Sequence, residues 1–284
     1  MRINIRKNRA RRHKIVPRET PRFAGKRQDR ILLLLVLGFL SFGCSSSIDK
    51  AVEETTEQTH AIGPAGTLTI RNPMGSVRIQ GSDDLEMKLK ATKKASSARQ
   101  LNGIAVKVAK HGDSISVDTS FPPHKKWVFS RGASIDYAIS IPRTIKISRL
   151  EMGNGNTLVE GMRGDLRADL VNGALAMRNC FGNAEISVAN GSLDLFFEKW
   201  EQRPFSVHAR IISGNARAFF PRDASFHVEG KTVSGTVTNR LAKSGDRDSR
   251  EAKKLNMSMG TGTAPDIMIH AIDGDIEIAP ANGE

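Results

Sequence analysis

The side chains of this 284-residue chain that could do chemistry are two cysteines, seven histidines and a scatter of acids near glycines. Cys180 shares its repeat position with Val171 and Ala189, so it reads as a small buried hydrophobe and not as a nucleophile. His13, His60, His111, His124, His208, His227 and His270 show no His-x-x-x-His spacing, and no Cys-x-x-Cys accompanies them, so a zinc site is not expected. Glycoside cleavage needs two carboxyls facing one bond. Glu160, Asp165, Asp169, Glu185 and Asp194 do not share a column: Asp165 is first after its glycine, Asp194 third and Asp169 fifth. Asp165, Asp169, Asp194 and Asp275 lie near turns, but the doubled glycines of calcium-binding rolls are missing, and a hard cation needs six to eight oxygens. The stretch from Gly260 to Pro265 resembles a phosphate loop only incompletely, because a strand and not a helix follows it, and it reads as a turn. The expectation is a protein that is not an enzyme, with no catalytic residue, no cofactor and no metal.

The net charge of +13 suggests a nucleic-acid partner until it is located. Residues 1–30 hold twelve Lys and Arg against Glu19 and Asp29, a local charge of +10, whereas the remaining chain carries only +3. Residues 31–43 are an uncharged apolar run, too short for a spanning helix of roughly 20 residues but of the length of a secretory signal core. Gly43-Cys44 followed by three serines resembles a bacterial lipoprotein processing site, in which the Cys44 thiol is acylated. Ser41 stands where that pattern usually has Leu, and an uncleaved anchor is the alternative. Either way the basic segment serves delivery, and no nucleic-acid partner is expected.

The elements that must position any site follow a rhythm. Residues 44–63 are polar and aperiodic and read as a flexible linker. From Gly66 apolar residues alternate with polar ones, as in Leu68 and Ile70, Val77 and Ile79, and Ile135, Tyr137, Ile139 and Ile141, which predicts half-buried strands. Residues 95–101 predict one helical turn. Gly155, Gly164, Gly173, Gly182 and Gly191 then fall nine residues apart as structural turn glycines. The second position after each holds Thr157, Leu166, Leu175, Ala184 and Leu193; the fourth holds Val159, Ala168, Met177, Ile186 and Leu195; the seventh holds Met162, Val171, Cys180 and Ala189. All three columns are expected to face inward. Asn precedes only Gly155, Gly173 and Gly191, which makes the full repeat eighteen residues with two strands. Asn-Gly is also a hairpin signal, so an antiparallel meander is the rival to a coil of stacked rungs.

Later repeats are looser, around Gly214, Gly235 and Gly274, and residues 240–256 read as a charged solvated loop. Phe196, Phe197, Trp200, Phe205, Phe219, Phe220 and Phe226 gather much of a sparse aromatic content. The cluster reads first as filling for the wider end of a coil and, as the alternative, as a surface that stacks on sugars or partner proteins; in strands, one member of each adjacent pair, Phe196-Phe197 and Phe219-Phe220, faces outward.

The opening unit from Gly66 to Ile79, the strand Ile135 to Pro142, the Asn-Gly repeats and the closing unit Ile272 to Ile278 together resemble the bacterial "putative adhesin" family of cell-envelope proteins. The resemblance spans about residues 64–279. It implies a glycine-punctuated β-solenoid in the envelope and supplies no catalytic residues. The expected organisation is a basic and apolar signal over residues 1–43, a linker over 44–63 and one domain over 64–280, all-β, built as a right-handed parallel β-solenoid. The expected role is an exported, membrane-tethered interaction scaffold, its partners the membrane through an N-terminal lipid or anchor and an envelope protein or glycan. The alternatives are a glycan-active β-helix enzyme and a structural or stress-linked lipoprotein without a dedicated ligand.

Overall fold

Alternating burial runs through almost every strand of the computed structural model, which describes residues 51–122, 132–241, 252–261 and 265–281. Cys44, His13, His124 and the signal segment lie outside the described residues, as do residues 242–251 of the charged loop. The protein is all-β: seventeen strands and one short helix, α1 (Ala98–Leu101), which Ser97 caps, are found among the described residues.

Three strands define the repeat. β10 (Leu166–Arg178), β11 (Ala184–Phe196) and β12 (Ser206–Phe220) each run through a bend glycine, Gly173, Gly191 and Gly214, and pair in parallel. From β10 to β11 the offset is eighteen residues, with Asn172 opposite Asn190 and Gly173 opposite Gly191. The Asn-Gly pairs are therefore corners within a strand and not hairpin turns, which removes the meander for these three strands. From β11 to β12 the offset grows to twenty-three residues, because a loop carrying Trp200 is inserted.

The other rungs are split at the bend into two strands. β2 (Thr67–Met74) and β3 (Val77–Ser82) form one; β8 (Lys146–Asn154) and β9 (Thr157–Glu160) the next. β13 (Phe226–Ser234) with β14 (Val237–Asn239), and β16 (Asp266–Asp273) with β17 (Ile276–Pro280), supply two more. These rungs pair in parallel with one another and with β10 or β12, but not in chain order: β16–β17 lies between β12 and β13–β14.

Antiparallel strands finish the sheet, so it is mixed and not the wholly parallel coil that the sequence suggests. β4 (Glu86–Ala95) pairs antiparallel with β7 (Ser134–Pro142), β5 (Ala105–His111) with β6 (Ser114–Ser120), and β15 (Lys254–Met259) with β13. The physical reason is that a parallel stack leaves open edges at both ends, and strands that double back cover them. The end of the charged loop contributes to this, since Lys254 already belongs to β15.

The supposed linker is also corrected. Residues 52–61 form β1 (Val52–Ala61), antiparallel to β4. No apolar period marks it, because it is an edge strand with no buried residue. Its register sets Glu53, Glu54 and Glu57 opposite Lys94, Lys93 and Lys90, with ion pairs of 3.9, 3.4 and 3.1 Å. Charge complementarity across the ladder replaces the missing burial.

The second and fourth columns face inward: Leu175, Leu193, Val159 and Leu195 are all buried. The seventh column does not hold. Met162 and Cys180 are buried, but Val171 is 52% exposed. Before the bend the strand is straight, so its inward positions continue as Leu166, Ala168 and Leu170, and Val171 must point out. Only the corner after the second half turns its seventh residue back inside. Where the inserted loop widens the interior, Phe181, Phe197, Trp200, Phe205, Phe220 and Phe226 pack together, with centroids 4.0 to 6.3 Å apart.

Candidate binding surface

The bends fix every outward position, so they come first. Gly155, Gly173 and Gly191 have φ of +141°, +132° and +143°, which side-chain-bearing residues avoid. They stack directly: a Cβ on Gly173 would lie 2.0 Å from the Gly155 carbonyl oxygen, and one on Gly191 1.7 Å from that of Gly173. Gly164 and Gly182 play a different role. They lie at the opposite corner without a positive φ, and a Cβ there would meet the Ile145 and Gly164 carbonyls at 2.0 and 2.2 Å. Two kinds of corner thus account for the alternation of Asn-Gly with lone Gly.

Side chains around each bend complete the backbone bonding. Asn172 donates to Asn154 and Asn190 to Asn172, at 2.9 and 3.2 Å. One residue past the bend, Asp275 Oδ1 accepts from the Thr236 amide and hydroxyl, both at 2.8 Å, and Asp136 Oδ1 does the same for Ser76. The Thr236 bonds hold the Asp275 carboxyl below the usual aspartate range. Burial works to raise the Asp136 pKa, but Ser76 and Lys94 together bring it below its ordinary value.

The candidate chemistry of the sequence disperses on this frame. Cys180 is buried, its thiol directed at the Val159 carbonyl, and burial pushes its pKa up to about 11, the reverse of an activated thiolate. Asp194 is held by Arg217 at 2.7 and 2.9 Å, Asp165 accepts from Asn183, and Arg167 reaches both Glu185 and Asp169, at 3.2 and 3.8 Å. Glu160 and Glu198 are brought together in a groove of about 430 Å³, but both engage Arg178, and Arg78 also holds Glu160 at 2.7 Å. Among the described residues, no group of three or more His, Cys, Asp or Glu converges as a metal site would need.

What the rungs do present outward is aromatic. Phe197 and Phe220 are buried, and the alternation turns Phe196 and Phe219 to the outer face, where they are half-buried. Their register makes them neighbours across β11 and β12, and the rings stack at 4.7 Å with planes 2° apart. Arg178 lies over Phe196 at 5.7 Å and Arg217 over Phe219 at 5.9 Å. On the next rung Ala279 faces Phe219 with only a methyl. The result is a ladder in which ring faces meet each other and the guanidinium groups, leaving a strip of ring edges beside the two arginines at the surface. The adjacent Phe residues signalled in the sequence only that one ring of each pair faces outward. The partnering arginines gave no signal, because Arg178 reaches Phe196 only through an eighteen-residue pairing, and nothing local marks it.

Comparison with protein-family models gives no match, and comparison with curated proteins gives none either. Among solved structures the chain is similar to a "putative cell adhesion protein" from Clostridium sporogenes, 14% identical, with a TM-score of 0.49, covering 80% of this chain and all of that one. It is also similar to a "putative adhesin" from Bacteroides fragilis, 10% identical, with a TM-score of 0.31, covering 79% of this chain and 97% of the other. Identities and TM-scores this low carry neither a role nor a ligand over to this chain. No helix among the described residues is long and apolar enough to cross a membrane.

Proposed function

We propose that this protein is an exported, membrane-tethered envelope protein whose stacked strands act as an adhesin-like, non-enzymatic interaction scaffold, with an envelope glycan as the partner of its aromatic strip. The observation that carries the reading is the Phe196–Phe219 stack between Arg178 and Arg217, outward on a sheet whose acids are nearly all engaged with arginines, lysines or neighbouring polar groups. The rungs continue one another as a coil, with the strip running along the stack and not across a cleft. Delivery rests on the basic and apolar leader, with acylated Cys44 holding the head to the membrane. Growth with labelled palmitate tests the tether. The label is expected on the wild-type chain and absent from Cys44→Ser, which leaves the membrane fraction; an unlabelled wild type that stays membrane-bound would replace the lipid by an uncleaved anchor.

A further inference from the structure

Two residues before four of the bend glycines, Gly173, Gly214, Gly235 and Gly274, stands an exposed aliphatic side chain. Of the six large hydrophobics exposed among the described residues, Val171, Ile212, Ile272 and Val233 hold these positions. The last three are 45%, 39% and 69% exposed and stand side by side on β12, β16 and β13, between the rows Ile211–Ala271–Thr232 and Ser213–Asp273–Ser234. Two residues back along the same strands, Arg210, His270 and Lys231 form a parallel row, also exposed. Neighbouring ion pairs, Arg217–Asp194 and Lys254–Glu229, do not reach this row, and Arg210 and Lys231 have no acidic partner among the described residues. On the bend side Asp273 is the one acid of its row, between Ser213 and Ser234.

We propose that this aliphatic ridge and its basic border form a contact surface for an anionic lipid membrane. The three bulky aliphatic side chains project to solvent, and the nearby groove of about 200 Å³ is lined by His208, Arg210, Met268 and His270 of the basic side and by none of the three. β12 and β16 have strand neighbours on both sides, and β15 with Lys253 covers β13 as far as Thr232, so little of the ridge's backbone is open to an added peptide strand. A lipid interface moulds around such a ridge, taking Ile212, Ile272 and Val233 among the upper acyl carbons while Arg210 and Lys231 meet headgroup phosphates. The charge complementarity selects an anionic surface over a neutral one. The proposal deepens the tethered role and rests on it only for a membrane within reach: the head lies down on the bilayer along its rungs.

The full chain carrying Ile212→Trp reports the contact directly. With vesicles of phosphatidylcholine and phosphatidylglycerol whose acyl chains are brominated, the added indole is expected to shift to shorter wavelength and be quenched, and in pure phosphatidylcholine to do neither. Adding Arg210→Gln and Lys231→Gln should weaken the quenching response about thirtyfold in lipid concentration, since each basic group near an anionic surface contributes about 1 kcal/mol. An indole that is silent with vesicles overturns the proposal, and one that responds to polyglutamate but not to vesicles reassigns the surface to an acidic protein. The tether is read separately through Cys44→Ser, so quenching without acylation would leave the ridge standing and the tether fallen, and the converse would do the opposite.

Discussion

At single residues the fold is decided by what cannot be added. Gly173 combines a φ of +132° with a neighbouring carbonyl where its Cβ would sit, so Gly173→Val must both strain the backbone and push adjacent rungs away from each other. A loss of at least about 3 kcal/mol is expected, read as a lowered midpoint in urea; an unshifted midpoint would refute the stacked corner. Thr157 makes the opposite case. It occupies the column that holds Leu175 and Leu193 on the next rungs, is buried, and its hydroxyl has no hydrogen-bond partner. Thr157→Val should therefore stabilise the protein by about 1 kcal/mol, measured in the same titration. A destabilised variant would mean that the hydroxyl is satisfied in solution. Both corner types were legible as glycine spacing, and the second and fourth columns as apolar repeats. The seventh column misled because Val171 and Cys180 are equivalent at nine residues but not at eighteen: one ends a straight strand, the other turns a corner.

At the level of elements, β1 shows what a polarity pattern hides. Its sequence has the composition of a linker, and its pairing depends on the lysines of β4, more than thirty residues further on. With no buried side chain, the strand is held by its backbone ladder and the three Glu–Lys pairs, each worth about 0.2–1 kcal/mol when exposed. Raising salt to about 1 M shortens the screening length to about 3 Å. Amide exchange of residues 52–61 should then speed up by about tenfold while β11 is unaffected. Equal protection at both salts would show that backbone bonding alone retains the strand. The mixed sheet was illegible for the same reason. β16–β17 enters between β12 and β13–β14 although it comes later in the chain, and no local pattern records the order in which rungs stack.

Across the whole molecule, one periodicity produces a buried column, a bonded bend and two outward rows with different chemistry. The aromatic strip on one side of the bend and the aliphatic ridge beside it would let the protein meet the membrane along one line and a partner along another. Charge tells little of this: the excess of bases lies in residues 1–30, and in the described region most acids are paired or bonded. The central claim is binding without turnover, and co-sedimentation of the protein with insoluble envelope glycan, with soluble reducing ends followed in the same tubes, tests it most directly. The wild type is expected to sediment, Phe196→Ser/Phe219→Ser to bind about tenfold more weakly, and no reducing ends to appear with either. Equal binding of the variant, or sugar released by the wild type, would contradict the account.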